Sequence, residues 1–112
     1  MEFKRLNNMT GKDPVLNRRI ATIFLNDLQN FKTIFSQLVN ASQLEAIQFQ
    51  HHKIKPSLVI FELEVLSKQF EELILQAKTG LIQSPSDERL QGILEITEEK
   101  INAVKDYIQQ MA

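Results

Sequence analysis

The sequence predicts an all-α fold, an up-down antiparallel four-helix bundle with a short N-terminal lead-in. Three observations support this fold class: apolar residues recur at helical spacing over most of the 112 residues, glycine and proline are scarce at three each and mark helix ends, and no segment alternates with period two. Four amphipathic helices joined by short connections can close one core in a chain of this length, so we expect a single domain over 1–112 and a monomer.

The first long helix is predicted over 14–39, after a mostly polar segment, 1–12, that predicts a loose or short helical lead-in. Asp13 and Pro14 form an N-cap followed by proline at the first helical position, which is a typical helix start. The predicted buried face holds helical spacing throughout and consists of Leu16, Ile20, Ile23, Phe24, Leu28, Phe31, Phe35 and Leu38.

Three further helices are predicted over 43–60, 63–79 and 86–111. Ser42 and Glu45 fit a capping box at the start of the second helix. Gly80 is a C-terminal stop for the third, and the run from Ser84 to Asp87 caps the fourth. The apolar face of the second helix includes a histidine and consists of Leu44, Ile47, His51, Ile54, Leu58 and Phe61.

Composition excludes several classes of protein. With a formal net charge of -1, the chain is neither a basic nucleic-acid-binding domain nor an acidic disordered tail. It has no cysteine, which excludes a disulfide scaffold and fits a reducing compartment. Its longest apolar runs are too short to span a bilayer, and the first residues lack the apolar core of a signal peptide. We therefore expect a cytoplasmic protein that binds neither membrane nor nucleic acid.

Two adjacent histidines lie on different faces of the second helix. His51 belongs to the apolar stripe and is interpreted as a packed, hydrogen-bonded core histidine. His52 lies about 100° further round the helix and points outward. Lys55 follows it by three residues, one turn along the same face. By itself this pair is either ordinary solvated surface or a nucleophilic imidazole beside a fixed positive charge.

The segment around His52 resembles the histidine-containing phosphotransfer (HPt) domain, the intermediate carrier of multistep two-component relays. The family pattern is a histidine, any residue, an aliphatic residue, a lysine, a small residue, then serine or alanine. These places are filled in order by His52, Lys53, Ile54, Lys55, Pro56 and Ser57. The motif lies on the second long helix of a four-helix chain, as in the family. The resemblance implies that His52 accepts the phosphoryl group and that Lys55 lies beside it.

Two positions depart from the family pattern. Pro56 stands where glycine is commonest, and it should bend the helix because it cannot donate a hydrogen bond to the carbonyl of His52. Glu62 stands where glycine is frequent, at the break that follows the active-site turn.

The chemistry of phosphoryl transfer fits the residues present. Imidazole, with a reference pKa of about 6.5, is a competent nucleophile near neutral pH, and Lys55, with Lys53, can offset phosphoryl charge. The sequence has no Gly-rich phosphate loop, no carboxylate cluster for a metal and no ATP site. We therefore expect no cofactor, metal site or ATP-dependent activity of its own. The resemblance implies a partner that supplies phospho-aspartate and Mg²⁺, the receiver domain of a response regulator or hybrid histidine kinase.

A docking surface for that partner is predicted around His52. Phe49, Pro56 and Val59 leave apolar surface beside the histidine, and Lys53 adds charge. Gln48, on the same side as His52, could hydrogen-bond the phosphoryl group or the partner.

Three alternatives remain open at the level of sequence. One is the dimerisation and phosphoacceptor domain of a histidine kinase, in which an acidic residue usually follows the histidine, whereas Lys53 follows it here. The second is a non-catalytic helical adaptor in which His52 is incidental. The third is a metal site, although His51 and His52 are adjacent on a helix and cannot chelate one ion together.

Overall fold

A computed structural model describes residues 1–111, and within them the chain is all-helical with no strand. The all-α fold class is therefore confirmed. The helices are α1 (Lys4–Thr10), α2 (Pro14–Phe35), α3 (Leu44–Ile60), α4 (Glu64–Lys78) and α5 (Glu88–Gln110), and a short 3₁₀ turn, Ala41–Gln43, precedes α3.

Each of the four long helices packs against two others. α2 contacts α3 and α5, and α4 contacts the same two helices. α3 and α4 run in opposite directions, because Gln48 early in α3 contacts Lys78 at the end of α4 while Lys55 contacts Glu71. The molecule is elongated and measures 45 × 21 × 20 Å. α3 and α4 pack against each other within it.

Aromatic side chains fill both halves of the core. Phe24 of α2 stacks on Phe61 with ring centroids 4.1 Å apart. Further along, Phe70 of α4 lies 4.8 Å from Phe31 and 4.9 Å from Phe35 of α2. Such pairs contribute about 0.5–1.5 kcal/mol beyond the area they bury. They fix α2 against α3 at one end of the core and against α4 at the other.

The buried face of α2 differs from the predicted stripe in its first turns. Leu16 and Ile23 are exposed, whereas Asn17 and Ala21 are buried. The Asn17 amide donates to Asn7 Oδ1 at 2.7 Å and its Oδ1 accepts from the hydroxyl of Thr10, so a buried polar residue joins α2 to α1. The stripe was wrong here because α1 covers this part of α2 and makes a polar inward position favourable.

The connection between α2 and α3 also differs from prediction. α2 ends at Phe35 rather than at residue 39, and a turn followed by the 3₁₀ segment leads into α3. Asn40 Oδ1 accepts from the backbone N–H of Ser42 at 3.1 Å and from its hydroxyl at 2.8 Å. The predicted capping box is therefore wrong, because Ser42 lies inside a 3₁₀ turn that Asn40 caps, two residues before the start of α3.

The other predicted helix ends are confirmed by their hydrogen bonds. Asp13 Oδ1 accepts from the N–H of Val15 at 3.0 Å and of Leu16 at 3.2 Å. Gly80 has φ +79° and follows the end of α4, as a left-handed C-terminal residue should. Asp87 caps α5 through the N–H of Arg89 at 2.9 Å, so this helix begins at Glu88 rather than at 86.

The lead-in is a packed helix rather than a loose segment. Leu6 is fully buried, and Phe3 is buried with its ring stacked on Tyr107 of α5 at 3.9 Å. Phe3, just before α1, and Leu6 within it are three residues apart, and both pack on the core. Two apolar positions are too few for helical periodicity to distinguish such a helix from a polar tail. Of the two forms predicted for 1–12, a loose or a short helical lead-in, the structure has the short helix over α1.

The break between α3 and α4 is sharp and is bound to α1. Glu62 has φ +58°, and the N–H of Leu63 donates to the carbonyl of Leu58 at 2.8 Å, which closes the last turn of α3. The Glu62 carboxylate accepts from the N–H of Lys4 at 3.1 Å, at the N-terminus of α1. Arg5 donates to the carbonyl of Val59 at 2.9 Å. The Glu62 side chain thus caps α1.

We predict that Leu6→Ala lowers the free energy of unfolding by about 2–4 kcal/mol, because it removes a fully buried side chain and leaves a cavity in the core. Met9→Ala on the same helix is the matched control, since that side chain is exposed and its loss should cost under about 0.5 kcal/mol. Urea unfolding of both variants measures the difference. Equal and small losses would mean that α1 is not part of the cooperative unit.

Candidate functional site

The register of α3 separates the two histidines as predicted. His51 is 5% exposed and its Nε2 lies 3.0 Å from the hydroxyl of Ser67 on α4. The rings of Phe31 and Phe70 lie next to each other beside the imidazole, each with its centroid 6.0 Å away. His52, one residue later, is exposed. The first is a core residue with a satisfied hydrogen bond, and the second is accessible to a partner.

Burial lowers the pKa of His51 below its ordinary value. The charges nearest the ring partly cancel, because the Glu71 carboxylate raises this pKa while Lys55 lowers it. The desolvation of the ring dominates, so His51 is neutral near pH 7. The buried ring of His51 is thus held uncharged inside the core.

A groove of about 250 Å³ runs between α3 and α4 beside His52. We call it the His52 groove, and its lining consists of Gln48, His51, His52, Lys55, Glu71, Ile74, Leu75 and Lys78. Three residues predicted from the sequence meet here: His52, Lys55 and Gln48. They lie on successive turns of α3, with His52 between the other two.

The opposite wall of the groove comes from α4 and was not predicted. Glu71 Oε1 lies 2.8 Å from Lys55 Nζ in an ion pair, and this hydrogen bond holds the pKa of the Glu71 carboxyl below its usual value. Lys78 Nζ donates to Gln48 Oε1 at 2.5 Å. The spacing of Glu71, Leu75 and Lys78 along one face of α4 is visible in the sequence, but only the pairing of α4 with α3 brings that face to His52.

Lys53 and Phe49 lie away from the groove. The Lys53 ammonium is 5.7 Å from the centroid of the Phe49 ring, in a cation–π contact, and Lys53 lines a separate depression between α2 and α3 that includes Asp27. Lys53 and Lys55 are two residues apart and so lie about 200° apart around α3, which gives the two lysines different neighbours. The role of Lys53 at the phosphoryl group stays a prediction. Phe49 is 60% exposed and remains available for contact.

Pro56 and Val59 continue the exposed side of α3 beyond His52. α3 runs through Pro56 to Ile60, and because proline has no N–H, residue 56 donates nothing to the carbonyl of His52. Val59 is 42% exposed and lines a smaller depression with Lys55 and Glu71. Apolar surface on the α4 side is supplied by Leu75, which is also exposed.

Comparisons with known proteins leave the site to be judged on its geometry. No protein-family model, no curated protein and no solved structure matches the chain. Over residues 1–111, no three His, Asp or Glu side chains are grouped so that they could hold a metal ion. None of the helices in the same range is both long enough and apolar enough to cross a membrane.

We predict that stability falls as the pH is lowered below 6.5, the pKa of histidine in the unfolded chain. Because the pKa of His51 is lower in the folded protein than its unfolded value of 6.5, the unfolded chain binds the proton first. The contribution is fully present above that unfolded value and is lost as the pH falls from it towards the folded pKa. Urea unfolding at a series of pH values measures the slope.

Substitution of each histidine in turn shows which residue causes this dependence of stability on pH. His52→Gln should keep the pH dependence of the wild type, since the side chain is exposed. His51→Gln should be less stable at pH 7 but should lose most of the slope over the same range. A slope that survives in His51→Gln and disappears in His52→Gln would contradict the assignment of the buried titrating group.

Proposed function

We propose that the four long helices form an up-down antiparallel bundle with α1 as a packed lead-in, and that the molecule is a monomeric, cytoplasmic phosphocarrier. In this proposal His52 accepts a phosphoryl group from the phospho-aspartate of a receiver domain and passes it to another receiver. The observation that carries the proposal is the position of His52, an exposed imidazole in a groove with a lysine one turn away and its neighbour His51 buried.

The transfer needs an accessible lone pair more than it needs a catalytic apparatus. A neutral ring nitrogen of His52 attacks the phosphorus, the bond from phosphorus to the aspartyl oxygen breaks, and a phosphorus–nitrogen bond forms. The aspartate leaves as a carboxylate, so electrons balance without any further reactant. Positioning and charge neutralisation account for most of the catalysis in such transfers, and Mg²⁺ is supplied by the receiver.

The surface around His52 has the composition expected of a transient docking site. Leu75 on α4 is an exposed apolar side chain that lines the groove, and Phe49 and Val59 on α3 are exposed apolar side chains outside its lining. Pro56 carries no long side chain that would keep a receiver away from the imidazole. A partner of this kind must dock and leave, which suits a small, mixed surface better than a large apolar one.

We predict that His52→Gln abolishes labelling by a radiolabelled phospho-receiver while its thermal midpoint stays close to that of the wild type. The reason is that the substitution removes the only exposed imidazole and little packing, since the chain has two histidines and the other is buried. A panel of phosphorylated receivers supplies the donor, and acid-labile, base-stable label identifies phosphohistidine.

The control is His51→Gln, which should still accept label in the fraction that is folded. Label that persists in His52→Gln would contradict the proposal, as would labelling of the isolated wild type by ATP and Mg²⁺. Receivers that bind the wild type but never transfer to it would favour the helical adaptor instead.

A further inference from the structure

The lysine that the motif selects is already neutralised. Lys55 is paired with Glu71 at 2.8 Å, and the ion pair keeps that carboxylate charged by lowering its pKa. A phosphoryl group on His52 must compete with Glu71 for the ammonium. Both side chains are about half exposed, so the pair is weak enough to open, but its positive charge is not freely available.

The opposite end of the His52 groove holds a lysine without such a partner. Lys78 forms no ion pair with any carboxylate in residues 1–111, and its ammonium donates instead to the neutral amide of Gln48. Gln48 precedes His52 by four residues on α3, one turn away on the same face. His52 therefore lies between Lys55 on one side and the Lys78–Gln48 pair on the other.

The bond to Gln48 also sets how the amide is oriented. An ammonium can only donate, so the oxygen of Gln48 faces Lys78 and the amide nitrogen keeps its two N–H groups for another acceptor. Lys78 has further N–H donors of its own. Together they offer several donors to an anion in the groove, in a position where the rotamer of a long side chain is already restrained by a hydrogen bond.

We infer that Lys78, held by Gln48, binds the phosphoryl oxygens of phospho-His52 and is the main positive charge that stabilises them. This inference rests on the proposed phosphocarrier function and adds to it a residue from a helix that the sequence motif does not include. Lys55 then has a secondary role, because it contributes only to the extent that the phosphoryl group displaces Glu71. In this arrangement α3 supplies the nucleophile, His52, and α4 supplies the main positive charge, Lys78, that stabilises the dianionic phosphoryl group.

The test compares Lys78→Gln with Lys105→Gln, which removes the same charge from an exposed position on α5 outside the groove. We expect Lys78→Gln to lower the rate of labelling by a phospho-receiver about fivefold and Lys105→Gln to leave it unchanged. Lys78→Arg should restore most of the rate because it keeps the charge. All three variants should keep the thermal midpoint of the wild type, since both lysines are exposed.

A second readout follows the phosphoryl group itself. A nearby cation favours the dianion, so phosphorus NMR of phospho-His52 should show a higher last pKa of the phosphoryl group in Lys78→Gln than in the wild type and in Lys105→Gln. If Lys78→Gln matches Lys105→Gln in both rate and titration, the inference is overturned while the carrier function stands. If wild type and Lys105→Gln both fail to accept label on His52, the proposed function falls and the inference falls with it.

Discussion

The hydrogen bond between buried His51 and Ser67 fixes the rotation of α3 against α4. The ring of His51 lies beside the neighbouring rings of Phe31 and Phe70, so turning α3 would break this bond and displace two aromatic contacts together. Successive residues of a helix are about 100° apart, and a buried His51 therefore holds His52 at the surface. An unpaired imidazole inside the core would cost about 1–3 kcal/mol, against the roughly 0.5–1.5 kcal/mol that the hydrogen bond contributes, which makes the register hard to change.

Because α3 packs against α4 with this rotation, a groove forms between the two helices beside His52. Lys55 contacts Glu71 on one side of His52, and Gln48 contacts Lys78 on the other, so polar links between the helices flank the imidazole. The C-terminal turn of α3 is held in addition by α1, through the bond from Lys4 to Glu62 and from Arg5 to the carbonyl of Val59. The proposed nucleophile thus projects from a helix that is fixed at its middle and at its end, which is the preorganisation that phosphoryl transfer requires.

Local signals in the sequence were enough for the start of α2, the end of α4, the cap of α5 and the faces of the two histidines. Asp13, Gly80 and Asp87 act through their nearest backbone neighbours, and the exposure of His52 follows from helical period alone. What the sequence did not reveal depends on tertiary contacts. Asn17 is buried because α1 packs over it, and the α4 wall of the groove exists only because of how α4 lies on α3. Helical spacing separates Lys53 from Lys55, but only the packing shows that Lys53 faces a depression beside α2 and that Lys55 pairs with Glu71 of α4.

The most direct test of the account is a proton–nitrogen NMR spectrum of the imidazole rings, recorded before and after incubation with a phosphorylated receiver. The chain has two histidines, so both rings can be followed in one spectrum. The account predicts that the ring nitrogens of His52 shift to the positions of a phosphohistidine, while those of His51 keep the pattern of a neutral imidazole hydrogen-bonded to Ser67. Phosphorylation signals on His51, or two unchanged rings with every receiver that binds, would contradict it.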